Sequence, residues 1–310
     1  MKKILTIIIS LILLISLTGC KSNKDDGKLT VLTSNFPSYD FARAITKDVP
    51  NTSVEMLLKP GTEMHNYEPT PKDIIKISKS DIFIYVGGES DEWIDDLLDT
   101  IDTKKVKIIK LMDLVDTVEE ETVEGMESDE EEEEKEYDEH VWTSPINAIK
   151  IVKSLKEEII KLDKDNSNLY EDNSNKYINE LELIDGEIRN IVDNSSRKEL
   201  IFADRFPFRY FVDEYGLKYY AAFPGCSDQT EASSKTISFL INKVKEDNIP
   251  VILTIEFSNK KIANTISNET GAKILEFNSA HNISEEEFNN GKTYIDIMKD
   301  NIVVLKEALK

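Results

Sequence analysis

Histidine and cysteine are scarce in this chain, with three of the first and two of the second in 310 residues. Two cysteines, Cys20 and Cys226, cannot build a disulfide framework, so apolar cores must hold the fold. Basic residues are outnumbered, 38 Lys and Arg against 60 Asp and Glu, for a formal net charge of −22. A surface of that sign repels phosphate and excludes nucleic acid as a partner, whereas it suits a cationic cargo. Catalytic signatures are missing too. There is no HExxH, no GxSxG and no P-loop, and no Ser or Cys sits in a nucleophile setting. The chain therefore reads as a binding protein and not an enzyme.

Long apolar runs are confined to the start. MKKILTIIISLILLISLTGC opens on Lys2 and Lys3 and continues apolar from Ile4 to Leu17. That run is too short and one-sided for a comfortable membrane span and fits an export signal over 1–19. Leu17-Thr18-Gly19-Cys20 resembles the lipobox of bacterial lipoproteins. The resemblance implies that Cys20 is lipidated and becomes the new N-terminus. The alternative is an ordinary signal with a chance cysteine. KSNKDDGK then forms a flexible tether over about 20–27. The working protein is thus expected outside the cytoplasmic membrane, held to its outer face by lipid. Cys226, in FPGCSD, is read as a small packed residue, with a metal-ligand role as the alternative.

The remaining length is comfortable for two domains. Apolar or β-branched runs at 28–34, 53–59, 81–87 and 106–112 alternate with helical patterns at 38–46, 69–78 and 91–101. The second half repeats this, with strands at 199–204, 218–224, 250–257 and 273–278. Helices lie between them at 207–215, 231–247 and 258–270, and a last one covers about 291–309. Such alternation predicts α/β lobes, each with a parallel sheet flanked by helices. Residues 145–197 between the halves carry helical spacing throughout, with Ser144 as N-cap and Pro145 at N1. The reading is an N-terminal lobe over 28–165, a long rigid linking helix over 166–194 and a C-terminal lobe over 195–310.

Fourteen acids and one base lie between Glu119 and Glu139, six of the acids unbroken from Asp129 to Glu134. Such a block cannot pair with itself, and it predicts a disordered acidic loop inside the first lobe.

The three histidines fall at telling places. His65 follows the second strand, His140 follows the fourth, and His281 follows the last strand of the second half. In open α/β sheets ligands bind in the crevice beyond the carboxyl ends of the strands. Imidazole suits zinc and other borderline-soft transition metals. A lone loop histidine is ordinarily a surface residue, but three of three at strand ends point to a metal.

At these residues the sequence resembles a family. PGTEMHNYEPTPKDI around His65 and DEHVWTSPINA around His140 are similar to motifs of the zinc- and manganese-binding lipoproteins that serve ABC importers. Glu139 stands where the family's usual proline does. YGL at 215–217, TEAS at 230–233 and ETGAKILEF at 269–277 recur in the same order, so the resemblance covers essentially the whole mature chain. It implies two α/β lobes joined by a long helix, capture of zinc or manganese outside the cell, and delivery to a membrane permease and its ATPase. It also implies a monomer. Many zinc-binding members carry a His- and acid-rich loop where the acidic tract stands here.

The departures concern the ligands. The family's third ligand falls on Arg205, whose guanidinium cannot bind a cation. Its neighbour Asp204 could ligate or could pair with Arg205. The family's last ligand is usually an aspartate after the final strand, and here that region offers Asn278 and His281. Glu256 ends the preceding strand and either supplies a carboxylate or bonds a neighbouring helix N-terminus. The expected site is His65, His140 and His281 with Glu256, or else Asp204, as the carboxylate. Three imidazoles and one carboxylate favour Zn2+, while the extra acids leave Mn2+ open. Readings of another class are a metal-dependent surface hydrolase, with Glu256 or Asp204 as base, and a surface adhesin whose acidic tract binds calcium or host protein.

Overall fold

Among the described residues, eight short apolar or β-branched runs become strands in two four-stranded parallel sheets. The structure is a computed structural model that describes residues 28–62, 67–98, 101–102, 104–126, 136–227 and 231–310. The export signal, the tether, Cys20, His65 and residues 127–135 lie outside these ranges.

The first sheet holds β1 (Leu29–Thr33), β2 (Thr52–Met56), β3 (Ile82–Tyr85) and β4 (Lys107–Lys110) in the order β2-β1-β3-β4. The second holds β5 (Glu199–Arg205), β6 (Lys218–Phe223), β7 (Val251–Thr254) and β8 (Lys273–Glu276) in the matching order β6-β5-β7-β8. Val31 lies opposite Val54 and Ile82, and Phe202 opposite Ala221 and Leu253. β3 and β7 are buried at every position. Both faces of each sheet are covered by helices, which is why these strands read as unbroken apolar runs without alternation.

In the first lobe the helices are α1 (Phe36–Ile45), α2 (Pro71–Lys79) and α3 (Glu92–Leu98). Two helices then run between the sheets in sequence, α4 (Pro145–Leu162) and α5 (Ser167–Asn194). The Ser144 hydroxyl accepts from the Asn147 N–H at 3.3 Å, the cap expected ahead of Pro145. α5 has 28 residues and so spans about 42 Å. It buries Tyr170, Tyr177, Ile178, Leu181, Ile184, Ile188 and Val192, one face at helical spacing. The second lobe adds α6 (Arg209–Tyr215), α7 (Ser234–Glu246), α8 (Lys261–Thr270), α9 (Glu285–Asn289) and α10 (Tyr294–Ala308). The short α9 was not anticipated, because five residues show no period. It is started by a capping box of Ser284 and Glu287.

The largest apolar cluster is continuous through both lobes and is threaded by α4, α5 and α10. Smaller clusters back the outer faces of the sheets. α10 belongs in sequence to the second half but packs on α5. Its first residue reaches the first lobe, where the Tyr294 N–H donates to Asp40 at 3.0 Å and its hydroxyl to the Trp142 carbonyl at 2.6 Å. No helix among the described residues is long and apolar enough to cross a membrane.

The expectation that 119–139 is a single unpacked loop fails at both ends. Glu119 and Tyr137 form an antiparallel bridge, flanked by Glu120 N–H to Glu136 O at 2.9 Å and Asp138 N–H to Val118 O at 3.0 Å. Met126 is buried in the main core. Gly125, at φ +83°, lies so close to Phe239 that a Cβ would overlap its ring. Arg209 pairs with Glu121 at 3.2 Å. The flanks of the tract find backbone partners and an aromatic and basic surface on the second lobe, which composition alone cannot reveal.

Candidate metal centre

The bridge at Glu119 and Tyr137 presents Asp138-Glu139-His140 immediately before a single 3-10 turn, Val141–Thr143, and α4. All three are buried. The His140 N–H donates to Asp138 Oδ1 at 2.8 Å, and its ring Nδ1 lies 3.1 Å from the same oxygen. A carboxylate at that nitrogen favours the tautomer protonated on Nδ1, which puts the ring's lone pair on Nε2. Tyr210 on α6 steadies this turn by donating to the Asp138 carbonyl at 2.7 Å. Burial opposes protonation of His140, but Asp138 first, then Glu139 and Glu120, outweigh it and raise the pKa.

His281 reaches the same place from the second lobe, beyond β8. Its ring centroid is 5.2 Å from that of His140, at 81° between planes. Trp142 lies against both rings, 5.4 Å from His140 and 5.3 Å from His281. Its indole N–H donates across the lobes to the Ser279 carbonyl at 2.8 Å.

Glu139 completes the cluster. One ligand atom each from Glu139, His140 and His281 lies within 4.8 Å of the others. Donors about 2 Å from a tetrahedral zinc stand roughly 3.3 Å apart, so one ion could gather the three with a modest approach. Glu139 Oε1 accepts from the Ser90 hydroxyl at 2.6 Å and Oε2 from the Ser90 N–H at 3.0 Å. Gly88, at φ +83°, makes the room, since a Cβ there would stand 2.7 Å from Glu139 Cβ. Burial pushes the Glu139 carboxyl up to about 7, with the His140 imidazole the strongest counterweight.

The other sequence candidates are placed differently. Glu256 is buried beside His281, but its oxygens accept from the Ser279 N–H at 2.7 Å, the Ser279 hydroxyl at 2.5 Å and the His281 N–H at 3.1 Å. It holds a loop, where a helix N-terminus was the expected alternative. Asp204 accepts from the Ser258 hydroxyl and from the Arg205 N–H at 3.0 Å. Arg205 lines a small cavity with Thr62, Glu256, His281 and Asn282. The loop that leads to His65 is fastened nearby. Asn282 Nδ2 donates to Lys59 O at 2.9 Å and Thr62 O at 2.7 Å, and the Gly61 N–H donates to Ile283 O at 2.8 Å. Cys226 is buried, and burial, with Glu139, Glu120 and Asp138, pushes its thiol well up and away from the thiolate that binds metal. Sequence reasoning noted Glu139 only as a departure. Its position next to a histidine, in place of a proline that cannot donate, was the available signal.

Comparison with known proteins gives a consistent set of matches. A sequence model of the family described as "Zinc-uptake complex component A periplasmic" matches residues 31–308. The high-affinity zinc uptake system protein ZnuA of Bacillus subtilis is 36% identical over 296 residues, 95% of this chain and 91% of that protein. The zinc-binding lipoprotein AdcA of Streptococcus pneumoniae is 35% identical over 99% of this chain, which spans 61% of AdcA. The crystal structure of the Zn(II)-bound ZnuA-like domain of Streptococcus pneumoniae AdcA matches with a TM-score of 0.76 at 31% identity, over 91% of this chain and 99% of that one.

Proposed function

Because the chain belongs to the family of the periplasmic component A of zinc-uptake complexes, we propose that it captures zinc outside the cell for an ABC importer. The observation that carries this reading is the meeting of His140 and His281, two buried imidazoles from different lobes, 5.2 Å apart. The third imidazole in this reading is His65, which follows in sequence the 59–62 stretch held by Asn282. The fourth donor is a carboxylate, for which Glu256 and Asp204 were the candidates in the sequence and Glu139 joins them on geometry. The protein is a carrier, not a catalyst. Lipidation at Cys20 keeps it at the outer face of the membrane, and the loaded form docks as a monomer on the permease that its ATPase drives. The lobes over 28–165 and 195–310 act as one stiff pair through the helix over 166–194, so an ion bound between them is read as a small change of lobe orientation.

Calorimetric titration of the metal-stripped mature protein tests the reading. One tight zinc site per chain is expected, with manganese bound more weakly because imidazole donors suit zinc better. His140→Ala and His281→Ala should each weaken zinc by about tenfold or more. A protein with no tight site for either metal would refute the reading.

A further inference from the structure

The geometry points to Glu139 as the carboxylate that binds the captured zinc directly, with Glu256 as the positioning residue that fixes His281. This rests on the metal-capture reading and names the donor within it. Glu139 is the carboxylate that shares a 4.8 Å neighbourhood with both imidazoles among the described residues. The two Ser90 bonds fix its rotamer. Gly88 leaves the space that this rotamer occupies. Fixing a carboxylate at this depth costs desolvation that a divalent cation would offset.

Glu256 is employed otherwise. Its oxygens receive Ser279 and His281, which sets the backbone of the very turn that aims the His281 ring. The second lobe adds a positive group beside that turn, Arg205, in the cavity next to His281. The negative donor is then better supplied from the His140 side, where Glu139 stands.

The test uses the mature protein and Glu139→Gln, which keeps size and one oxygen for Ser90 but cannot donate as an anion. Zinc affinity is measured by competition with a chromophoric chelator, the metal-free protein by thermal melting, and the ligand field by the visible spectrum of the Co2+ form. The expected result is at least about a tenfold loss of zinc affinity and a changed Co2+ spectrum. The metal-free melting temperature should be unchanged or higher, since a buried carboxylate has been removed. Glu256→Gln should leave the Co2+ band pattern in place. Zinc affinity within twofold of the parent, or an unchanged Co2+ spectrum, overturns the proposal. So does a metal-free Glu139→Gln protein that melts well below the parent, because that makes Glu139 structural. If His140→Ala also leaves affinity untouched, it is the capture reading that fails. If only Glu139→Gln does, the reading stands and the donor assignment falls.

Discussion

The indole N–H of Trp142 donates to the carbonyl of Ser279 at 2.8 Å, joining the turn that carries His140 to the turn that carries His281. The ring is fully buried and touches both imidazoles. One side chain therefore sets the distance between the lobes at the point where an ion would bridge them. Trp142→Phe keeps an aromatic face and removes the bond. It leaves a buried carbonyl without its donor and a gap where the larger ring was, for a loss of about 2–4 kcal/mol in urea unfolding of the metal-free protein. Zinc affinity should fall with it. Unchanged affinity in this variant would show that the two histidines are registered by other contacts.

Acid sensitivity follows from the Asp138 carboxylate at His140. A histidine whose pKa is raised in the fold stabilises the metal-free protein fully at low pH, and that contribution is lost as pH rises through the folded value. Zinc takes the opposite side, because it needs the neutral ring and must displace the proton. Affinity should therefore begin to fall, on acidification, at a pH above about 6.5, the free-histidine value. Asp138→Asn removes the charge that raises the His140 pKa and should move that onset downward. Titrations of both proteins between pH 5 and 8 check the sign, and an onset that moves upward would contradict it.

The long helix α5 offers a test that touches no site. Gly186 lies in its middle, exposed, and a Cβ there would meet nothing within 4 Å. Gly186→Ala should stabilise the protein by about 0.5–1 kcal/mol through lower backbone entropy in the unfolded chain, with zinc affinity unchanged. A shift of the urea midpoint at constant slope is the measurement. A destabilised variant would mean that this turn of the helix is not regular.

What the sequence made legible, and what it hid, divides by range. Strands such as 82–85 and 251–254 are apolar runs buried on both faces, so local pattern alone located them. His140 and His281 could be placed because they follow strands in a parallel sheet. Glu139 was concealed by its neighbours, since one more acid beside an acidic tract carries no local signal, and only Ser90, 49 residues earlier in the chain, reveals that it is held inward. The role of Glu256 was equally non-local, depending on a turn 23 residues away. The order of 119–126 depends on Phe239 and Arg209 in the other lobe.

That last contact decides which deletion separates the acidic tract from the site. Removing 119–138 as a block would take away both sides of the Glu119–Tyr137 bridge, the Asp138 carboxylate that holds His140, the Glu121–Arg209 pair and the buried Met126 along with the charges. Glu120 would go too, and its carboxylate accepts from the Cys226 N–H at 3.1 Å beside the His140 ring. Such a protein should lose stability and zinc together and would report only on folding. Replacing 127–135 with a short Gly-Ser link removes Glu127 and Asp129 to Glu134 but keeps the bridge at Glu119 and Tyr137. The tight zinc site should then survive with its affinity little changed, since Glu139, His140 and His281 are all retained. Weak binding of additional cations should disappear, and zinc uptake should slow most at low ionic strength, where a field of that charge steers cations best. Calorimetry with excess zinc counts the weak sites, and stopped-flow rates at two salt concentrations measure the steering. Loss of the tight site in this shorter deletion would place a zinc donor inside 127–135 and displace the assignment to Glu139.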